Sequence, residues 1–413
     1  MKVYLVGGAV RDQLLGYPVK ERDWVIVGAT PEEMAQKGYQ QVGRDFPVFL
    51  HPKTREEYAL ARTERKKGHG YHGFSCHYEP DVTLEEDLAR RDLTINAMAK
   101  DERGNLIDPY HGLADLKAKI LRHVSPSFVE DPVRVLRIAR FKARYQHLGF
   151  TLAEETRALM YAMVKKGELD YLVPERVWQE WQRSLEEKNP EAFISTLRAC
   201  GALEVILPEL DSLFGVPNPK KHHPEIDSGV HTLLALQEAV KLCENPVVRF
   251  AALVHDLGKA KTPMHEWPSH HRHEQRGLEV ISNLCQRLRI PADYRKLALL
   301  VSRYHLDIHR LLNLRASTVV KILEETDAFR RPGRFEQILL ACEADKKGKV
   351  KKPADYPLAN YWRFILKECA GIQPKSLIDD GYEGKAIKVK LHELRIKRVQ
   401  ELLESRTSWE KTS

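Results

Sequence analysis

Long apolar runs are missing from this chain of 413 residues. The longest, such as Trp24 to Val27 and Phe250 to Val254, fall far short of the roughly 18 residues that a membrane-spanning helix requires. No transmembrane helix is expected on that ground. Cysteine is scarce, with six residues at 76, 200, 243, 285, 342 and 369, and none has the CxxC spacing of a zinc ribbon. Buried, reduced thiols are expected rather than a disulfide framework. Internal repeats and low-complexity tracts are also absent, which removes solenoids and disordered tails. The opening residues MKVYLVGG read as a strand and a glycine turn, without the architecture of a cleavable signal, so a cytoplasmic protein is expected.

What remains is a globular composition, 43% hydrophobic and 30% charged, in a chain long enough for about two to four domains. The formal net charge of +8 would attract a polyanion, although charge alone does not specify nucleic acid.

KVYLV alternates and ends in Gly7–Gly8, and AVRDQLLG continues at helical spacing, which predicts strand, turn and helix. Strands over 22–27, 46–51 and 57–62, with a helix over 31–37, complete a mixed α/β unit. A turn and helix are expected over 81–99, and a short strand with a turn over 104–116. Uninterrupted helical spacing starts with EDPVRVLRIARFKARY at 130–145, where Pro132 suits a first helical turn, and the rest reads as all-α. Punctuation at 215–224 and 346–357 marks two linkers. The segment KAIKVKLHELRIKRVQELLESR reads as a basic amphipathic helix. These features divide the chain into an α/β head at 1–121, a helical neck and body at 122–220, a second helical domain at 221–350 and a helical basic tail at 351–413.

A glycine pair between strand and helix lets backbone N–H groups approach a phosphate, and Gly7, Gly8 and Arg11 are placed to do so. Glu21 and Asp23 are two apart on the expected second strand, so both carboxylates face one way, as ligands of a hard cation such as Mg²⁺ must. Two such ions can activate an attacking hydroxyl and neutralise leaving pyrophosphate. Each motif alone is commonplace; the ExD pair roughly ten residues beyond GGxVRD is not. Glu57 is a further acidic group on a neighbouring strand to which the sequence assigns no role. The glycine-rich, cationic stretch 62–74 has the composition of a mobile loop or an exposed hairpin.

GGAVRDQLLG, ERDWVIVG, RRDLTINAMA at 90–99 and EDPVRVLRIARF at 130–141, in this order, resemble the class II tRNA nucleotidyltransferases, with the closest likeness to their bacterial multifunctional branch. The resemblance covers residues 1–350. It implies a polymerase-β-like nucleotidyltransferase head, followed by a helical neck and body and a helical HD domain. The activity implied is addition of C, C and A to a tRNA 3′ end from CTP and ATP. Asp131 and Arg134 match the family's protein template for the incoming base. Such a pair has the right chemistry, since cytosine and adenine share an amino donor beside a ring-nitrogen acceptor whereas guanine and uracil present the reverse. Gly8, Arg11, Arg91, Arg137 and Arg140 match nucleotide-binding positions, and Asp92 is expected to support the ribose or orient Arg91. One departure is Glu21, where the family usually has aspartate.

Residues 222–273 hold eight of the 18 histidines. His255 and Asp256, in FAALVHDLGK, with His231 upstream and Asp345 downstream, have the H…HD…D order of HD phosphohydrolases, which implies a divalent transition metal, nickel among the candidates. Hydrolysis of 2′,3′-cyclic phosphates and related esters is the implied activity. His270, His271 and His273 are placed at the mouth of that site or in an exposed polar loop, and His305 and His309 share the ambiguity. The rival readings are a bacterial poly(A) polymerase, and a phosphohydrolase or RNA-binding protein with an inactive head. A monomer or a homodimer is compatible with the sequence.

Overall fold

In the first strand, β1 (Lys2–Val6), burial deepens toward Leu5 and Val6. It runs into Gly7, whose φ of 67° is reached readily only without a side chain, and the chain then enters α1 (Gly8–Leu14). Strand β2 (Asp23–Val27) pairs antiparallel with β1 in a register that sets Asp23 opposite Val6. Pairing stops there because the chain after Val6 turns away at Gly7. Glu21 therefore precedes the strand, and the expectation that Glu21 and Asp23 share one strand face is corrected.

The computed structural model describes residues 1–19, 21–42, 48–66, 74–219, 227–349, 355–379 and 381–405, with the backbone alone for 64–66 and 74–76. Helix α2 (Pro31–Gln36), closed by a Thr30–Glu33 capping box, leads to β3 (Gln40–Gln41), β4 (Val48–Leu50) and β5 (Glu57–Leu60). Strand β5 runs parallel to β2 and sets Glu57 beside Asp23. Strands β6 (Thr63–Lys66) and β7 (Phe74–His77) form a separate antiparallel ribbon. The centre of the stretch read as a mobile loop or hairpin, 67–73, lies outside the described residues.

Next come α3 (Leu84–Ala89), β8 (Ala99–Lys100), β9 (Leu106–Ile107) and α4 (Gly112–Ala118). The main sheet has seven strands in the order β3-β4-β5-β2-β1-β8-β9. Alternation along them feeds two cores, one around Val6, Val25 and Leu88, the other around Ile26, Phe49 and Leu60. The helix expected over 81–99 is interrupted because the Thr94 N–H bonds to the Arg122 carbonyl and Leu93 bridges His123. Helix α4 takes the place of the turn expected there. Asp108 accepts from the N–H groups of Gly112 and Leu113 and starts it.

A small parallel pair, β10 (Ile120–Leu121) with β11 (Thr151–Leu152), is an exception to the all-α expectation beyond the head. Between them α5 (Val133–Tyr145) begins three residues later than expected, after a 3-10 turn at Pro126–Glu130, with Pro132 as its N-cap. Asp131 is extended, with φ −115° and ψ 102°, so it stands before the helix that carries Arg134. Helices α6 (Glu154–Lys165), α7 (Pro174–Glu186), α8 (Glu191–Ala199) and α9 (Ala202–Ile206) complete a first unit, Met1–Ile206. Helices α5, α7 and α8 pack together.

The second unit, Leu207–Ser413, is helical. It comprises α10 (Pro208–Asp211), α11 (Ser228–Leu242), α12 (Pro246–Val254), α13 (His273–Arg287), α14 (Ala292–His309), α15 (Ala316–Glu325), α16 (Pro332–Lys347), α17 (Pro357–Ala370), α18 (Pro374–Asp379) and α19 (Lys385–Glu404). Helix α11 packs on α12 and α16, and α13 on α14. The expected basic helix is α19, which packs against α15 and α17. Part of each expected linker lies outside the described residues. Cys200, Cys285, Cys342 and Cys369 are buried free thiols and Cys243 is half-buried. Among the described residues, no helix is long and apolar enough to cross a membrane.

Candidate active sites

The β1–β2 register brings the Gly7–Gly8 turn beside Asp23, and a cavity of about 550 Å³ opens there. Gly8, Arg11, Glu21, Asp23, Arg91, Asp131, Arg134, Arg137 and Arg140 all line it. A side chain at Gly7 would place its Cβ 2.7 Å from Arg91 Nη1. Partial desolvation raises the Asp23 pKa, Arg91 works to lower it, and Glu21 adds to the rise. Two carboxylates that repel in a wall of arginines are a donor set that a hard divalent cation fits. Glu57 is beside Asp23 in register but is not among the lining residues.

The arginines are held by specific partners. Arg11 is buried, stacks over Phe141 and Tyr145, and donates to Asp12 and the Asn96 side-chain carbonyl. Arg91 pairs with Asp87 at 3.3 Å. Asp92 accepts from Arg137 Nε at 2.8 Å and from Asn96 at 2.8 Å, not from Arg91, which the sequence offered as one of its two partners. The reason is direction: α3 ends before Arg91, and the chain turns Asp92 inward toward α5. Although burial opposes ionisation, Arg137 and the Asn96 hydrogen bond hold the Asp92 carboxyl well below the usual range. Arg140 Nε lies 2.5 Å from Glu180 Oε2 on α7.

Asp131 and Arg134 reach the same cavity by different routes. Arg134 is buried and donates to the carbonyls of Ser127, at 2.6 Å, and Arg90. Asp131 accepts from both terminal nitrogens of Arg176. Sequence reasoning missed Arg176, along with Glu180 and Asn96. A PERVWQE segment at helical spacing gives only an amphipathic helix, whose arginine 45 residues from Asp131 becomes its partner through packing.

In the second unit, His231 lies on α11, His255 caps α12, Asp256 follows it, and Asp345 lies on α16. All four are buried. His231 Nε2 is 2.9 Å from Asp345 Oδ1, and His255 Nε2 is 3.2 Å from Asp256 Oδ2 and 3.6 Å from Asp345 Oδ1. Each Nδ1 donates to a backbone carbonyl, His231 to Gly348 at 2.9 Å and His255 to Ala252 at 2.8 Å, which points the Nε2 lone pairs at the carboxylates. His255 Nε2 and Asp256 Oδ1 are buried without a hydrogen-bond partner. Burial works against charge on His255, but Asp256 and Asp345 outweigh it and lift its pKa to about 9. The pair of carboxylates calls for a cation at that nitrogen, a proton or a metal. Ligand atoms of His231, His255 and Asp256 all lie within 4.8 Å of one another, so these residues can hold a metal ion.

The other histidines separate clearly. His309 Nε2 is 2.6 Å from Asp345 Oδ2, with Tyr356 on its other nitrogen. His270 is buried between Thr262 and the Pro217 carbonyl. His273 and His305 join the buried cluster beside Asp256. His222 and His223 lie outside the described residues.

Residues 3–122 match the family described as the Poly A polymerase head domain, 149–214 the Probable RNA and SrmB- binding site of polymerase A, and 229–331 the HD domain. Fold and sites thus define a polymerase-type nucleotidyltransferase head, a helical body and an HD domain in one chain. The chain is 63% identical to the multifunctional CCA protein of Legionella pneumophila (strain Paris) over 409 residues, 99% of each chain. It is 60% identical to that of Thioalkalivibrio sulfidiphilus, covering 99% of this chain and 100% of the other. It belongs to the multifunctional CCA protein family. Among solved structures, an apo CCA-adding enzyme matches with a TM-score of 0.66 at 22% identity, over 98% of this chain and 91% of that one. A Thermotoga maritima CCA-adding enzyme complexed with tRNA matches at 0.65 and 22%, with the same coverage. At such identity these two support the fold alone.

Proposed function

We propose that the head adds C, C and then A to the 3′ end of tRNA from CTP and ATP, releasing pyrophosphate, and that the HD site hydrolyses 2′,3′-cyclic phosphates and related phosphate esters. The observation that carries the first part is the cavity that gathers Glu21, Asp23, nine arginines and Asp131. The names of the relatives support the first part, and the HD-domain match supports the second.

In this reading Gly8 leaves room for the triphosphate, and Arg11, Arg91, Arg137 and Arg140 bind it, with Asp12, Asp87, Asp92 and Glu180 fixing the guanidinium planes. Asp131 accepts from the amino group of cytosine or adenine and Arg134 donates to the adjacent ring nitrogen, an arrangement that guanine and uracil mismatch. Glu21 and Asp23 would hold Mg²⁺, which supplies activation of the 3′-hydroxyl and neutralisation of pyrophosphate when bound. His231, His255, Asp256 and Asp345 would hold a divalent transition metal, with nickel a candidate, that supplies an activated water. The working divisions are the head at 1–121, the neck and body at 122–220, the HD domain at 221–350 and the tail at 351–413, in a cytoplasmic monomer or homodimer.

Incubation of tRNA lacking its terminal CCA with Mg²⁺ and each labelled nucleotide tests the head. Incorporation of two C and one A is expected; a long A tract, or no incorporation, overturns the reading. Asp23→Ala should abolish addition and spare metal-dependent phosphatase activity, and Asp256→Ala should do the reverse. Equal loss of both activities in either variant would refute separate sites.

A further inference from the structure

The head cavity has two chemically different ends, and α5 runs between them. Asp131 stands just before α5 and Arg134 lies in its first turn, the pair assigned above to the base. At its other end α5 meets α1, the helix that follows the Gly7–Gly8 turn. Arg11 stacks there over Phe141 and Tyr145, and Asp12 accepts from Arg144 Nη2 at 3.2 Å and from the Tyr145 hydroxyl at 3.3 Å. A nucleotide with its base at Asp131 and its phosphates at the glycine turn therefore extends toward the C-terminal half of α5.

Helix α7 lies beside α5 and runs the same way. Arg176 pairs with Asp131, and Glu180, one turn further on, accepts from Arg140 and lies 3.7 Å from Arg137. Arg183 continues that row. Spacings of four and then three residues keep Arg176, Glu180 and Arg183 on one face of the helix. At about 1.5 Å of rise per residue, Arg183 stands about 10 Å beyond Arg176. It thus joins the cavity wall at the phosphate end.

Nine guanidinium groups line that cavity, and eight of them already donate to a carboxylate or a carbonyl of the chain. Among the described residues Arg183 is the exception: it is exposed and pairs with no carboxylate, although Glu186 and Glu187 follow within about one turn. Its charge and its five N–H donors are uncommitted.

We propose that Arg183 binds the terminal phosphates of the incoming nucleotide and holds the pyrophosphate that leaves. This rests on the reading that the head takes nucleoside triphosphates in this cavity, and adds a cation that none of the sequence motifs contains. A planar guanidinium meets two phosphate oxygens at once, and the β and γ phosphates are the same in CTP and ATP. Arg183 therefore serves both nucleotides alike, and base choice stays at the opposite end. Its exposure suits a group that must also release its ligand.

The test measures affinity by isothermal titration calorimetry on the full chain in Mg²⁺, with ATP, inorganic pyrophosphate and tRNA lacking its CCA. Arg183→Gln removes the charge and the fork from an exposed, unpaired position, so its Tm should equal that of the wild type. Affinity for pyrophosphate and for ATP should fall roughly tenfold or more, with affinity for tRNA unchanged. Arg183→Lys, which keeps the charge and loses the fork, should recover part of the loss. In steady state the KM values for CTP and ATP should rise together, with the preference over GTP and UTP unaltered. Wild-type affinity for pyrophosphate and ATP in Arg183→Gln overturns the assignment and leaves the reading of the head standing. Loss of tRNA affinity alone would make Arg183 an RNA contact and overturn it as well. A wild-type chain that binds neither ATP nor pyrophosphate overturns the reading of the head itself.

Discussion

Arg176 holds Asp131 with both arms of its guanidinium, Nη1 to Oδ1 at 3.1 Å and Nη2 to Oδ2 at 2.8 Å. A carboxylate gripped this way has a fixed plane, and it is the carboxylate assigned above to the incoming base. Arg176→Lys keeps the charge and loses the fork. Hydrogen bonds to charged groups contribute about 1.5–3 kcal/mol each, so a roughly tenfold or greater fall in C and A incorporation is expected, with increased misincorporation of G or U. Single-turnover addition with each nucleotide reads this out. Unchanged rate and fidelity would show that Asp131 orients itself.

Asp92 ties Arg137 to the cavity wall, and its pKa is depressed despite burial. A depressed carboxylate stabilises the fold at every pH above its unfolded value, near 4, and that contribution fades as pH falls through the folded value. Asp92→Asn should cost about 1–3 kcal/mol at neutral pH. The difference in Tm between wild type and variant should stay constant down to about pH 5 and shrink below about pH 4. A gap independent of acid would assign the loss to packing alone.

Gly258→Ala forces a methyl group into the His273 carbonyl. Overpacking of this kind typically costs about 1–3 kcal/mol, and here the displaced atoms carry a histidine of the HD cluster. Phosphatase activity should fall while CCA addition by the head persists. Crystallographic displacement of α13 away from Asp256 would accompany it; full phosphatase activity would show that the approach is not needed.

His309 donates to Asp345 from 2.6 Å and is backed by Tyr356 at 2.7 Å. In the proposed HD site it would act on the metal through the aspartate. Loss of such an orienting partner commonly lowers metal affinity about 10–100-fold. His309→Asn should do so in a Co²⁺ titration without changing the number of ions bound, and an unaltered affinity would limit His309 to a structural role.

Most of the sequence-predicted residues that the structure brings together lie inside short motifs. Glu21 and Asp23, or His255 and Asp256, are neighbours before any folding. Arg176 and Asp131 are not, and their pairing exists only once α7 packs on α5. Histidines of the 265–273 stretch carry no periodic signature, so His273 and His270 look alike until α13 is placed. Local errors have local causes. Helix α4 hid behind Asp108-Pro-Tyr-His-Gly112, a run of turn formers that is in fact its cap. The start of β2 at Asp23 depended on where β1 ends.

That last register carries a consequence. Side chains along a strand alternate between two faces, so sliding β2 by a single residue against β1 would send Asp23 to the opposite side and turn Trp24 toward the Gly7–Gly8 turn. No intermediate setting exists between these two pairings. The direction in which Asp23 faces behaves as a parity bit, held by the apolar alternation of Val25 and Ile26 into separate cores. Substitutions deep in the sheet, far from any nucleotide, can therefore erase the site outright but have little means of adjusting it by degrees.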